Sequence, residues 1–501
     1  MPLLSNRRLQ AVAAAAAATL ISLVAAGSAA AAAPTVASGF TISLFASAPS
    51  GTSSPDDIAR LDGHIFVGYQ NGVGPNGETG PSGANSTVVQ YNDDGSIANQ
   101  WQLAGKVDGL GADPANHRVI ATVNEDSNSS LYTITPSHSP SAQLTHYAYS
   151  PSPSPASGSG PVLTGGGTDS VTVMPNGTIL LAASNPQTLG SSPTTITGGS
   201  ITATFDAVLT PPSSPSGTGT ATLTPTFLDD STAAIEPAGG SGPLDLSDPD
   251  SNAWVPWSSP LYGGDFAQVS QGDHQIIFSS DIGSPTAPYN ASDLTVLNLQ
   301  EKTSSGVQSA GIDDVRWADG DGGTLYVVDN SGGAGGNGAI YAVSGPFFPG
   351  EAFAAVSETG APNSSSVVSD GQTVDTLNLA SGVLTPFASG FAKTSGEVWV
   401  PAGGGGQTGP AGPAGPPGPT GPAGVSVLVI CIAFHGEVAC FRHHLSGGIP
   451  EGLAVLSRAG VRYAAGRIEH GRLSLRATRV VGAGSYTLRL GAGRRFTLRV
   501  P

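Results

Sequence analysis

The sequence predicts an all-β protein: a β-propeller of six blades, with seven left open, joined by a Gly-X-Y tract to a small second β domain. Three observations predict it. Short apolar strands recur in pairs across residues 40–400, each pair joined by a turn of Asp, Asn, Gly or Pro. Glycine falls at every third position from Gly406 to Gly424 without a break. Residues 425–501 alternate apolar residues with arginine.

Composition supports short strands over helices. Of 501 residues, 70 are Gly and 40 are Pro, so turns must be many. Charged residues make up 11% of the chain, against about 25% in an average domain. Charge is divided sharply. Residues 34–424 hold 6 Lys+Arg and 33 Asp+Glu, a net −27; residues 425–501 hold 11 Arg and 3 Glu, a net +8. So acidic a body disfavours nucleic acid as a partner.

Residues 1–33 read as a signal peptide. Arg7 and Arg8 supply a positive n-region, Ala11–Ala26 an apolar h-region, and Gly27–Ala33 a small-residue cleavage zone. The expected mature N-terminus lies between Ala30 and Val36, and the expected location is secreted or at the cell surface. No later segment has 18 unbroken apolar residues, the length a spanning helix needs.

Residues 40–400 form the expected propeller. First strands begin at Asp56-Asp57, Asp108-Gly109, Asp169-Ser170, Asp265-Phe266 and Asp313-Asp314. Their second strands are Ile65–Val67, Val119–Val123, Thr178–Leu181, Gln275–Phe278 and Leu325–Val328. Turns such as Asp62-Gly63 and Pro175-Asn176-Gly177 accept the positive φ of tight hairpins. Third strands follow at Thr87–Tyr91, Ser130–Ile134, Leu294–Leu299, Ala339–Val343 and Val374–Leu379. Four strands per unit is propeller spacing. Leu44–Ser47 echoes Pro386–Ser389, so an N-terminal outer strand is expected to close the ring against the last blade. Ser150–Pro161 and Pro211–Gly219 are Ser/Pro/Gly-rich loops.

Asp313-Asp314-Val315-Arg316-Trp317, followed by Thr324–Asp329, resembles the blade motif of secreted NHL and gluconolactonase-like propellers. The resemblance covers residues 40–400 and implies a fold shared by enzymes, receptors and scaffolds. It also implies a divalent cation held by Glu, Asn and Asp from different blades. Pro55-Asp56-Asp57 stands where that pattern opens with Glu.

Residues 401–424 are a Gly-rich linker and tract. Proline follows glycine in five successive triplets from Pro410 to Pro422. Only glycine fits the axis of three wound polyproline-II chains. A homotrimer is one expectation and a stiff monomeric spacer the other. The tract resembles bacterial collagen-like surface proteins.

Residues 425–501 are the basic C-terminal β domain. A hairpin turning at His435-Gly436 sets Cys431 opposite Cys440 in a non-hydrogen-bonded pair, with Cα atoms about 4.5 Å apart. These are the only two cysteines, and in an exported chain they are expected to bridge. Tyr486, Leu488 and Leu490 share one face. Arg489, Arg495 and Arg499, with Arg472 and Arg476, take the other, a surface for an anionic cell-envelope polymer or for the acidic propeller itself.

No H-E-x-x-H, G-x-S-x-G or paired C-x-x-C occurs. Gly333–Gly338 matches G-x-G-x-x-G but joins two strands, so it is a loop. Two function classes remain. One is a non-catalytic binding or structural protein that displays the propeller on a stalk. The alternative is a metal-dependent, lactonase-like hydrolase working in the propeller mouth. Strand starts (Asp56, Asp57, Asp108, Asp169, Asp265, Asp313, Asp314) and strand ends (Asn124, Glu125, Asn185, Asp281, Asp329, Asn330) are expected at one rim. Of these, Asp56, Asp57, Glu125, Asn185, Asp313, Asp314 and Asp329 are the candidate ligands for calcium.

Overall fold

The computed structural model describes residues 33–125, 128–150, 167–183, 203–214, 217–228, 231–244, 246–280, 294–303, 306–333, 336–362, 368–402, 425–434, 437–446, 452–458, 461–469, 472–477, 484–490 and 494–500. Residues 1–32 and the Gly-X-Y tract lie outside them, as do Asn185 and Asp281. Among the described residues no helix is long and apolar enough to cross a membrane.

The strands assemble a β-propeller. Blade 1 runs from its inner to its outer strand as Pro55–Leu61, His64–Tyr69, Ser86–Tyr91 and Ile97–Leu103. Blade 2 is Val107–Asp113, Arg118–Val123, Ser130–Ile134 and Leu144–Ser150. Blade 3 is Val171–Val173, Ile179–Ala183, Ala203–Thr210 and Gly219–Leu228. Blade 4 is Asn252–Trp254, Phe266–Ser270, Gln275–Ser279 and Leu294–Asn298. The inner strands touch in circular order, and the ring closes where Thr394–Pro401 meets Pro55–Leu61. Turn chemistry sets the hairpins: Asp62 at φ 49° and Gly63 at φ 84° supply the positive φ that joins the first two strands.

The last two blades depart from the sequence expectation. Asp313–Val315 does not form a hairpin with Leu325–Val328. Gly306–Trp317 pairs instead with Ala352–Thr359, followed by Val368–Asn378 and Val383–Ser389, as blade 5. Gly323–Asp329 passes to blade 6, between the inner strand Thr394–Pro401 and Ala339–Gly345. Local turn signals could not show this, because Asp319–Gly323 has the composition of a hairpin turn yet carries the chain from one blade to the next. Blade 4 is also corrected. Asp265 precedes its second strand; the inner strand is Asn252–Trp254.

The N-terminal strand Thr41–Ser47 pairs with Ala339–Gly345 as the outer strand of blade 6, so the ring is closed by the start of the chain as expected. Thr35–Val36 adds to the edge of blade 5. Phe40 packs edge-on against Phe347 (5.0 Å between centroids) and Phe387 (4.8 Å), which pins this closure with apolar contact.

Apolar residues fill the seams between blades. Val88, Leu103, Val107 and Val119 lie in the seam of blades 1 and 2. Val269, Ile276, Ile312 and Val356 lie in that of blades 4 and 5. Beyond the tract, Val425–Phe434 pairs with Glu437–Ser446, and the register sets Cys431 opposite Cys440. Five further strands form a second sheet in which Tyr486 and Leu488 are buried and Arg489 is exposed. The side chains of Arg472, Arg476, Arg495 and Arg499 lie outside the described set.

Candidate functional site: an axial ring of aspartates

Each inner strand enters the channel with a dipeptide at the same level. In ring order these are Asp56-Asp57, Asp108-Gly109, Asp169-Ser170, Asp250-Ser251, Asp313-Asp314 and Ser395-Gly396. The first position is aspartate in five of the six, so one side chain repeats around the axis. The second position joins neighbouring strands. Asp57 accepts from the Leu110 amide (2.6 Å) and from its own neighbour Ile58 (2.6 Å). Asp314 repeats this with Glu397 (2.6 Å) and Val315 (2.7 Å), and it also accepts from the Ser251 hydroxyl. Where this position is glycine, the next strand comes too close for a side chain. A Cβ on Gly396 would lie 2.6 Å from the Asp56 carbonyl oxygen, and one on Gly109 would overlap that of Asp169.

The ring encloses a void of about 20 Å³, room for one water-sized particle. Its electrostatics follow from many carboxyls in little solvent. Burial first, and Asp313 second, push Asp56 up to about 7. Burial also pushes Asp57 up to about 7, against the Arg316 guanidinium and two backbone N–H donors. Asp108, Asp169 and Asp250 are raised well above the usual carboxylate range, again by burial first. For Asp250, the nearby carboxyls of Asp313 and Asp169 add to the effect of burial.

Two cationic groups offset part of the charge. Lys106 Nζ lies 2.9 Å from Asp108 Oδ1 and 2.5 Å from Glu125 Oε1. Burial alone would discharge this lysine, but Asp108, Glu125 and Asp56 outweigh it and keep it protonated. Arg316 Nη1 lies 2.6 Å from Asp314, and Nη2 lies 3.9 Å from Asp57. Gln271 Nε2 donates to Asp250 (3.1 Å) and Asp313 (2.7 Å). Asp108 Oδ2 is buried and receives no hydrogen bond.

The candidates named from sequence thus separate. Asp56, Asp57, Asp108, Asp169, Asp313 and Asp314 all reach the ring. Glu125 flanks it through Lys106. Asp329 does not line it: its carboxylate accepts from the amides of Ala392 (3.1 Å) and Lys393 (2.9 Å) and so holds a turn. Asn124 likewise accepts from the Lys106 amide (2.8 Å), and Asn330 donates to Pro55 (2.8 Å). Asp265 sits at the other end of blade 4, 2.8 Å from Arg462 of the C-terminal sheet. Asp250 escaped sequence reasoning, although Pro249-Asp250-Ser251-Asn252-Ala253 parallels Pro55-Asp56-Asp57-Ile58-Ala59.

A second polar cluster closes the seam of blades 4 and 5. His274 Nδ1 lies 3.0 Å from Ser309 Oγ, and Nε2 lies 2.8 Å from Glu358 Oε1. Both ring nitrogens of this buried histidine are satisfied inside the seam, which makes it a tie between blades.

No family model matches the chain, and no curated protein matches it. Similar solved structures include a putative gluconolactonase, at 10% identity and TM-score 0.36, covering 72% of this chain and 85% of that one. Another is the aldose sugar dehydrogenase of Streptomyces coelicolor, at 12% identity and TM-score 0.24, covering 62% of this chain and 99% of that one. A third is a streptogramin B lyase, at 10% identity and TM-score 0.25, covering 61% and 97%. Similarity this low carries no argument; the propeller assignment rests on strand pairing and ring closure.

Proposed function

We propose that the chain is an exported, six-bladed propeller that acts as an extracellular binding protein on a collagen-like stalk, and that its channel mouth is a site for a hard divalent cation such as calcium. The observation that carries this reading is the ring itself: carboxylates from five inner strands around one ion-sized void. The donor set is all oxygen, as calcium requires. The Asp108 Oδ2 atom, buried without a donor, is a lone pair that a cation would satisfy. Among the described residues no three such side chains already close on one point as metal ligands. Asp56, Asp108, Asp169, Asp250 and Asp313 would therefore hold the ion after turning inward. The ion would supply positive charge that relieves the repulsion among the crowded carboxyls.

One observation favours a second reading, hydrolysis of a small lactone or ester at the same mouth. A carboxyl held near pH 7, as Asp56 is, can both give and take a proton at neutral pH, which is what general acid–base catalysis needs.

Thermal unfolding in millimolar calcium and in chelator tests the site. Calcium should raise the midpoint by a few degrees, and Asp108→Asn should abolish most of that rise. Equal midpoints in calcium and chelator would remove the cation site. Turnover of simple lactones by the calcium-loaded protein, lost in Asp56→Asn, would favour the hydrolytic reading over binding alone.

A further inference from the structure

The tie between blades 4 and 5 holds more than a seam needs. A hydrogen bond from His274 to Glu358 (2.8 Å) already joins the two blades. The chain continues to a third member, the Ser309 hydroxyl, 3.0 Å from His274 Nδ1. The His274 side chain is fully buried, while Ser309 is half-buried and its neighbours Gly306, Val307 and Gln308 are exposed. One end of the chain of hydrogen bonds therefore lies at the surface.

The partners fix the roles. A carboxylate only accepts, and a neutral imidazole has one N–H and one lone pair. Nε2 therefore donates to Glu358, and the lone pair of Nδ1 faces the Ser309 hydroxyl. That hydroxyl has one other acceptor in reach, the Leu299 carbonyl oxygen at 3.5 Å, the longer and weaker of the two contacts. The imidazole is held firmly in place. The His274 N–H donates to the Gln271 carbonyl oxygen (3.0 Å), and its own carbonyl oxygen accepts from the Leu299 N–H (2.9 Å). Its φ is 56°, in the left-handed region that glycine adopts more readily, and such conformations gather at functional sites. Space for the pair exists because residue 311 is glycine: a Cβ there would lie 2.9 Å from His274 Cδ2 and 2.8 Å from Glu358 Cγ. A serine, an imidazole and a carboxylate hydrogen-bonded in that order convert a weak hydroxyl into a nucleophile, whatever their order in sequence.

We propose that Ser309, His274 and Glu358 form a nucleophilic site that takes the acyl group of a small ester. Ser309 Oγ attacks the ester carbonyl carbon, and its proton passes to His274 Nδ1. The bond from that carbon to the alkoxy oxygen breaks, and the alcohol leaves with the proton. Water then attacks the acyl-serine and gives a proton to Nδ1; the acid departs as the serine oxygen takes that proton back. Glu358 is a positioning residue that holds the tautomer. The acyl group is small because the hydroxyl is half-buried beside Leu299 and His274. The site is separate from the aspartate ring and needs no cation.

The test uses the full-length protein and p-nitrophenyl acetate, with nitrophenolate release and peptide mapping as readouts. The expected result is a burst of nitrophenolate and an acetyl group on Ser309, equal in calcium and in chelator. Ser309→Ala should remove both. His274→Gln should slow acetylation by about 100-fold. Glu358→Gln should slow it too, and Glu358→Asp should restore most of the rate. Acetyl groups on lysines alone would overturn the proposal, as would a burst unchanged in Ser309→Ala or a rate unchanged in His274→Gln with a native melting curve. If His274→Gln fails to fold, the Glu358 variants decide, and equal rates in Glu358→Gln and the wild type would overturn it. Acetylation that requires calcium would place the chemistry at the aspartate ring and also overturn it.

Discussion

At the scale of the residue, two adjacent positions on each inner strand have different duties. The first faces other carboxyls around the axis. The second ties one strand to the next, as Asp57 and Asp314 do through neighbouring amides. The first position gives stability a characteristic pH dependence. Asp56 titrates near 7 when folded and near 4 in an unfolded chain, so ionising it costs the folded state. Stability from this source is full below about pH 4 and falls as pH rises through 7. In chelator, the thermal midpoint should drop by several degrees between mildly acidic and neutral pH, and Asp56→Asn should flatten that slope. A wild-type midpoint that rises over the same interval would contradict the assignment. Most of the ring could be read from the sequence, because aspartate recurs before an apolar strand. Asp250 could not, because the strand after it is only three residues long, Asn252–Trp254, and leaves little apolar signal.

At the scale of the element, closure of the ring depends on a strand far away in sequence. Thr41–Ser47 completes blade 6 by pairing with Ala339–Gly345, and Phe40 anchors it against Phe347 and Phe387. The backbone leaves space for that ring only because residue 345 is glycine: a Cβ there would fall inside the Phe40 side chain. Phe40→Ala should therefore destabilise the protein by about 3 kcal/mol in urea unfolding. Leu44→Ser, on the same strand but 54% exposed, should change stability by less than about 0.5 kcal/mol. Equal effects of the two substitutions would mean that Phe40 does not fasten the ring. The echo between residues 44–47 and 386–389 pointed to this closing strand. The exchange of Gly323–Asp329 into blade 6 left no such trace, because a strand's partner is not encoded in its own alternation.

At the scale of the whole molecule, the Gly-X-Y tract is where three chains would wind together. Six glycine-led triplets are few, so their winding would need support from the flanking β domains. We propose that the secreted protein is a trimer whose chains each carry a Cys431–Cys440 bridge. Intact mass and sedimentation of the exported full-length protein check both parts. The mature chain should start between Ala30 and Val36, weigh two hydrogens less than its reduced form, and sediment as a trimer that Gly415→Ala weakens. A monomer at micromolar concentration would leave the tract as a spacer, and two free thiols would remove the bridge.

The sequence by itself determined the local features. Apolar alternation and turn residues defined the strands. Counting from His435-Gly436 set the register of Cys431 and Cys440, which the backbone reproduces. A repeated acidic start marked the inner strands. These follow from interactions between near neighbours along the chain. Tertiary structure decided which strand pairs with which in blades 5 and 6, that Asp250 and not Asp265 completes the ring, and that Asp329 serves a turn. It also opened an apolar cavity below the ring, whose wall draws residues from inner strands spread between Ile58 and Val398. The physical reason is the same in each case. A channel is the space that strands distant in sequence leave between them, and its shape depends on side-chain volumes that meet only when the ring closes.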